Sequence, residues 1–225
     1  MDFDTIVLAT ANPHKVDELR AIFAQIGIDV VSLAECSTPD SGWIEPDETG
    51  TTFLENATIK ALSYADQTGM VCLADDSGIE IDALGGKPGV ISSHYCTDGR
   101  DEGMSRNERD AKNNERVLRE LDGIAFEQRS TRFVCVMVLA QPNGNILATS
   151  GGTFEGRIGF PENDTDTPSH IVPRGGNGFG YDPLFLVAPD YAHTGAELSP
   201  TEKNMRSHRA HAAHEMAIKF KSLMF

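Results

Sequence analysis

Along this chain the period of the apolar positions changes repeatedly, and the changes read as strands alternating with helices. Residues 5–9, Thr-Ile-Val-Leu-Ala, are a short apolar run suited to a buried strand. Asn12-Pro13 follows, with asparagine fit for an N-cap and proline for the first helical position. Val16, Leu19, Phe23 and Ile26 then recur at helical spacing until Gly27 supplies a stop. A second strand is expected near residues 29–33, and the acidic, turn-rich stretch 35–50 reads as an exposed loop. Thr52-Phe53-Leu54-Glu55 fits a capping box that opens a helix to about Thr68, ended by Gly69. The run 70–74 reads as a strand that empties into an Asp75-Asp76-Ser77-Gly78 turn.

Further on, Ile79, Ile81 and Ala83 alternate with polar residues before Gly85-Gly86-Lys87-Pro88-Gly89, which cannot continue a helix. Ser105-x-x-Glu108 starts another helix, with Val117, Leu118 and Leu121 towards its buried end. Residues 132–140 are β-branched and apolar enough for a central strand, and Pro142-Asn143-Gly144-Asn145 is a hairpin turn into a strand over 146–150. Residues 160–172 are polar and interrupted by proline, which predicts a surface insertion. Gly175-Gly176-Asn177-Gly178 precedes Phe179-Gly180-Tyr181-Asp182-Pro183, a turn feeding a strand. Ser199-Pro200-Thr201-Glu202 is a further capping box, and a final helix carries Ala212, Met216, Phe220 and Leu223 inwards. Strands alternating with helices, then a hairpin, predict a three-layer α/β fold with a mixed sheet in one continuous domain, 1–225.

Composition narrows the function classes. Nineteen Lys and Arg against 34 Asp and Glu give a net charge of −15, which argues against a general nucleic-acid binder. An anionic substrate then needs a local cluster of basic residues, or a metal, to overcome the global field. The four cysteines have no Cys-x-x-Cys spacing, and Cys72 and Cys135 sit in apolar runs, so a zinc or disulfide framework is not expected. Met1-Asp2-Phe3-Asp4 lacks the basic start of a signal peptide, and the apolar run behind it is too short to span a bilayer. A soluble, cytoplasmic protein is the simplest expectation.

Adjacent carboxylates behind an apolar strand are costly unless a cation meets them, so Asp75-Asp76 suggests a metal-dependent phosphate site. The turn Thr10-Ala11-Asn12-Pro13-His14-Lys15 joins a helix amino terminus to a lysine, a pairing that suits a phosphate. It equally fits an ordinary capped helix with a solvated lysine. No P-loop spacing occurs. Glu48 can join Asp75 and Asp76 as a metal ligand while Lys60 points at phosphate, or Glu48, Glu55 and Lys60 can be a solvated charged face. Glycines around Phe179 expose a ring on which a base can stack, or the ring packs in the core. Lys203 and Ser207-His208-Arg209 place cations at the beginning of a helix, against its dipole, which suggests a bound anion or acceptor there.

Taken in order, Thr10-x-Asn12-x-x-Lys15, Thr52-Phe53-x-Glu55-Asn56-Ala57, Ala74-Asp75-Asp76-Ser77-Gly78, Gly85-Gly86-x-Pro88-Gly89, Phe179-Gly180-Tyr181-Asp182-Pro183 and Lys203-x-x-x-x-His208-Arg209 closely resemble the inosine triphosphate pyrophosphatase family, enzymes acting on non-canonical purine nucleoside triphosphates. The resemblance runs from about residue 5 to residue 220. It implies Mg²⁺-dependent hydrolysis of ITP, dITP and XTP to the monophosphate and pyrophosphate, by a two-lobed homodimer with the active-site cleft between the lobes. Carried over by motif, Thr10, Ala11, Asn12, Pro13, His14 and Lys15 hold the triphosphate and Lys60 meets phosphate. Asp76 is the catalytic base and a metal ligand, with Glu48 and Asp75 helping to place metal or water, and Ser77 touches substrate. Phe179, Gly180, Tyr181, Asp182, Lys203, His208 and Arg209 form the nucleotide and base pocket. A pyrophosphatase of different base preference and a nucleotide- or metal-binding module without turnover are the alternatives.

Three positions depart from the family pattern: His94 stands where arginine is common, Ala11 where glycine is frequent, and residues 160–172 lengthen the segment before Gly178. The lengthened segment bears on substrate preference more than on reaction type.

Overall fold

The structure is a computed structural model that describes residues 5–10, 13–25, 27–36, 42–162 and 170–224, without the side chains of Pro13, His14 and Met224. It is a mixed α/β fold with a central mixed sheet flanked by helices. Among the described residues seven strands join one sheet in the order β2-β1-β3-β5-β6-β9, with β4 paired to β3. These strands are β1 (Ile6–Leu8), β2 (Val30–Ser32), β3 (Cys72–Ile81), β4 (Lys87–Pro88), β5 (Ser130–Gln141), β6 (Asn145–Ile158) and β9 (Phe185–Val187). The helices are α1 (Pro13–Ala24), α2 (Phe53–Thr68), α3 (Arg106–Glu120), α4 (Pro200–Arg206) and α5 (His208–Met224).

The chain divides into two compact units, the first comprising the described residues up to Ser77 with Cys135–Gly152 and those from Ser207 on, the second Gly78–Val134 and Thr153–Arg206. In the first, β1 pairs in parallel with β2 (Ile6 opposite Val30) and with β3 (Leu8 opposite Leu73). Alternate residues of each strand serve opposite faces of the sheet. Ile6, Leu8, Leu73, Cys135, Met137 and Leu139 pack with Val16, Leu19 and Phe23 of α1 and Ala213, Met216 and Phe220 of α5. Val7, Ala9, Cys72, Ala74, Val138 and Ala140 pack with Ala57, Ala61, Tyr64 and Ala65 of α2. The small side chains of α2 let it lie close to the strands.

Local signals explain the ends of these elements. Thr52 Oγ1 accepts from Glu55 N while Glu55 accepts from Thr52 N, and Gly69 closes α2 in the left-handed region at φ 66°. Such a cap contributes about 1 kcal/mol. Asn143 and Gly144 have φ of 75° and 84°, as a tight hairpin of this twist requires, and they link β5 to β6.

The second unit has its own core, in which Ile79, Ile81, Val117, Leu121, Ile158, Phe185 and Leu186 are fully buried. Here the structure corrects the reading of residues 160–172 at both ends. Phe160 and Val172 are buried, because β7 (Phe160–Pro161) and β8 (Ile171–Val172) pair in parallel; the remainder, 163–169, lies outside the described residues. The final helical stretch is also interrupted. Ser207 Oγ accepts from Ala210 N and so caps α5, which separates it from α4. Ala212, Met216 and Phe220 are buried as expected, but Leu223 is exposed in the last turn. Ala83 likewise falls past the end of β3, in a short 3-10 turn, and is exposed.

Candidate active site

The expected turn at Asp75-Asp76-Ser77-Gly78 does not form: β3 continues unbroken through all four residues to Ile81. The cost of burying two carboxylates is met by cations from other parts of the chain, so the strand has no reason to end. Continuity has a direct consequence for side-chain direction. Leu73 belongs to the face packed by α1 and α5, and Ala74 to the face packed by α2. By alternation Asp75 follows Leu73 and Asp76 follows Ala74, so neighbouring carboxylates serve opposite sides of one strand.

Asp75 is the anionic centre of a buried cluster. Ala9 N donates to Leu73 O at 2.8 Å, which sets the end of β1 beside β3, and α1 begins shortly after it. Lys15, in the first turn of α1, thereby reaches Asp75 Oδ2 at 2.9 Å. Arg209 opens α5 and brings its Nε to 3.5 Å from the same oxygen, while its Nη1 donates to Glu18 at 2.6 Å and its Nη2 to Ser77 Oγ at 3.0 Å. Ser77 Oγ donates to Asp75 Oδ2 at 3.3 Å, and Cys135 Sγ lies 3.8 Å from it. Burial alone pushes the Asp75 carboxyl up. The charges of Lys15, Arg209 and Lys60 outweigh that and hold it well below the usual carboxylate range. Burial and then the Asp75 charge push the Cys135 thiol up, so it stays protonated.

Asp76 has different company. Lys60 Nζ lies 3.0 Å from Asp76 Oδ1 and 3.0 Å from Glu48 Oε2, bridging the strand to the loop before α2. Asn56 Nδ2 donates to Asp76 Oδ2 at 3.4 Å, and Asn56 Oδ1 accepts from Gly50 N at 2.8 Å. A Cβ at Gly50 would stand 2.6 Å from that Oδ1, so the loop needs glycine to come this close. Burial pushes the Asp76 carboxyl up, and Lys60 offsets this only in part, with the Glu48 charge adding to the rise. Lys60 is pulled down by burial and up by Asp76, Glu48 and Asp75, with a net rise that keeps it cationic.

The donor set suits a hard divalent ion in kind, being all carboxylate oxygen. Asp75 Oδ1 is buried with no hydrogen-bond partner among the described residues, a carboxylate oxygen whose lone pairs are unused. No three His, Cys, Asp or Glu side chains among the described residues already form a metal group; Lys60 stands between Glu48 and Asp76 instead.

The second unit carries an aromatic set. Phe179 N donates to Asp182 Oδ2 at 2.9 Å, and Lys203 Nζ donates to the same oxygen at 2.6 Å. Gly178, at φ 79°, makes this possible, since a Cβ there would stand 2.2 Å from Asp182 Oδ2. Tyr181 is buried, with its hydroxyl donating to Ser92 O at 2.7 Å. Gly180 is held from both sides by α3, its N donating to Asp110 Oδ2 and its O accepting from Asn114 Nδ2, each at 3.1 Å. Phe179 is half-buried, with the guanidinium carbon of Arg106 4.5 Å from its ring centroid and Lys203 Nζ at 5.5 Å.

Ala11 and Asn12 lie outside the described residues, as do the side chains of Pro13 and His14; Thr10 follows β1. Lys15, Ser77, Asp75 and Arg209 come together, as do Glu48, Lys60 and Asp76. Lys203 falls in the last turn of α4, where the dipole favours it, and not at a helix start. His208, buried, does open α5 beside Arg209. The sequence reading gave no site role to Glu18, Asn56 or Cys135, although Asn56 stands in one of the quoted motifs. Their signals were present but weak: Glu18 is one turn beyond Lys15, Asn56 one residue past the capping glutamate, and Cys135 an apolar-run cysteine. His94 lies in a 3-10 segment (Gly89–Thr97), with its Nδ1 2.9 Å from Ser93 Oγ.

A mixed α/β sheet whose central strand carries buried carboxylates flanked by fixed cations defines the class of protein. The Ham1 family model matches residues 6–219, and the chain belongs to that family. It is 45% identical, over 94% of its length and 93% of the relative's, to the dITP/XTP pyrophosphatase of Nitratidesulfovibrio vulgaris. It is 42% identical to that of Exiguobacterium sibiricum, over 94% of each chain. Among solved structures, a HAM1 protein from Coxiella burnetii superposes with a TM-score of 0.76 at 39% identity, covering 97% of this chain and 98% of that one. The Staphylococcus aureus Ham1 protein gives 0.75 at 32% identity, covering 97% and 99%.

Proposed function

We propose that this chain hydrolyses non-canonical purine nucleoside triphosphates (ITP, dITP and XTP) to the monophosphate and pyrophosphate, clearing deaminated purines from the nucleotide pool. The observation that carries the reaction class is the split carboxylate pair of β3, Asp75 among Lys15 and Arg209, Asp76 against Lys60. Near full-length relatives named dITP/XTP pyrophosphatase support the substrate class.

Hydrolysis of a phosphoanhydride gathers negative charge on both the attacked and the leaving oxygens. Lys15 and Lys60, now paired with Asp75 and Asp76, would meet it, with Thr10 and the residues 11–14 completing the triphosphate cradle in this proposal. Asp76 and Glu48, which share Lys60, would hold a divalent ion, taken here as Mg²⁺, and Asp75, directed to the other side of β3, would support the site through Lys15 instead of ligating beside them. Nucleotide pyrophosphatases generally work with such an ion, which when bound neutralises phosphate oxygens and acidifies water. A carboxylate beside a bound divalent ion stays ionised and is a weak base, so Asp76 would orient the metal-activated water and not abstract its proton alone. Phe179 offers its ring to the base, and Gly180, Tyr181, Asp182, Lys203, His208 and Arg209 complete the nucleotide pocket. Donors facing the O6 acceptor of hypoxanthine or xanthine would be left unpaired by adenine, which is how a site of this kind rejects ATP.

The deciding measurement is product analysis with ITP, dITP, XTP, ATP, GTP and dTTP in Mg²⁺. Monophosphate plus pyrophosphate, fastest for the first three, is the expected result. Release of a diphosphate and orthophosphate would sink the reading. Among the described residues no helix is long and apolar enough to cross a membrane. A cytoplasmic homodimer is part of the proposal, testable by light scattering of the purified chain.

A further inference from the structure

The aromatic set contains a residue that no motif contributes. Arg106, Asp110 and Asn114 recur every four residues along α3 and so share one face of it. Asp110 and Asn114 clamp the N–H and the carbonyl of Gly180, while Asp182 holds the N–H of Phe179. The backbone on both sides of the Phe179 ring is therefore fixed. Arg106 covers the ring at 4.5 Å, yet its side chain is 41% exposed and its tether is a 3.9 Å ion pair from Nε to Asp110 Oδ2. A rigid ring thus lies under a loosely held, planar cover.

We propose that Arg106 is a nucleobase-binding residue: the purine slides onto Phe179, and the guanidinium, still tethered at Asp110, stacks on the opposite face of the base. This rests on the reading of Phe179 as the base platform. Stacking of a base on an aromatic ring is stronger than an exposed cation–π contact, so the purine displaces the guanidinium from the ring. A guanidinium stacks on a flat π face as readily as on a phenyl ring, so the displaced group regains a partner. Every purine has such a face. Arg106 therefore adds affinity for ITP, dITP and XTP alike, and selection among bases resides elsewhere.

The test compares Arg106→Ala, Arg106→Lys and Phe179→Ala by steady-state kinetics on ITP, dITP and XTP, and by calorimetric binding of inosine monophosphate. Thermal melts serve as the folding control; Arg106 is exposed, and its replacements should melt with the wild type. Arg106→Ala is expected to raise KM and weaken inosine monophosphate binding by about tenfold, with kcat within about twofold and the substrate ratios unchanged. Arg106→Lys, which keeps the charge and loses the plane, should fall between. If Arg106→Ala leaves KM unchanged or lowers it while Phe179→Ala raises it, Arg106 is a cover that the base pushes aside, and the proposal fails with the base platform intact. If Phe179→Ala changes neither KM nor binding, the platform reading itself fails, and the proposal with it.

Discussion

Lys60 Nζ stands 3.0 Å from Asp76 Oδ1, and the same ammonium holds Glu48 of the preceding loop at 3.0 Å. Asp76→Asn keeps the shape and the hydrogen bond from Lys60 but removes the negative charge that, in the proposed function, holds the ion and orients the water. Turnover of ITP should fall by roughly 100-fold or more, with the urea midpoint little changed. A rate within twofold of wild type would refute the role given to Asp76.

Asp75→Asn should behave in the opposite way, through stability. It takes from Lys15 the carboxylate it pairs with and leaves Arg209 its ion pair with Glu18. Breaking a buried pair by removing one partner costs about 3–5 kcal/mol. Urea unfolding of the two variants side by side checks this; equal midpoints for Asp75→Asn and wild type would show that the cluster does not carry the charge balance described.

Gly178→Ala tests the support of the aromatic set. Its φ of 79° disfavours any side chain by about 1–2 kcal/mol. The new Cβ also meets the carboxylate of Asp182 and the ammonium of Lys203. A lower melting temperature together with a raised KM is expected. An unchanged KM would mean that the Phe179 loop tolerates the displacement of Asp182.

The buried thiols give a pH signature away from the carboxylates. Burial raises the Cys72 thiol to about 11 from an ordinary value of 9.0. A group whose folded pKa is raised contributes stability that is complete below its unfolded pKa and lost as pH rises through the folded one. Stability attributable to Cys72 should thus hold to about pH 9 and decline towards about pH 11, and Cys72→Ala should flatten that limb. Thiol titration with a disulfide reagent at pH 8 adds a check: Cys72 and Cys135 are buried and should react only in urea, whereas Cys36 and Cys96 are partly accessible.

How much of this was legible in the sequence depends on how local the cause is. The bounds of α2 follow from Thr52, Glu55 and Gly69, all within or beside the helix, and the structure reproduces them. The Asp75-Asp76 stretch was misread as a turn because the cost of burying carboxylates was judged without their partners. Those partners come from positions 15, 60 and 209, and pairing across such distances has no local signature. For the same reason the motifs named candidate residues while their groupings stayed hidden. Nothing in Lys203-x-x-x-x-His208-Arg209 says that Ser207 caps a new helix, or that Arg209 fastens to Asp75 while Lys203 fastens to Asp182.

Because β3 runs straight through its two aspartates, their identities are a matter of odd and even position. Deleting one residue from the apolar part of the strand, with the rest held in register, would move Asp76 in among Lys15 and Arg209 and leave Ser77 opposite Lys60. The composition of the site would scarcely change, yet Asp76 would take the strongly acidified position and Lys60 would face a hydroxyl in place of a carboxylate. Substitutions can tune either side of this strand separately. Changes of length between Cys72 and Asp76 cannot be absorbed there, and the chain must confine them to its loops.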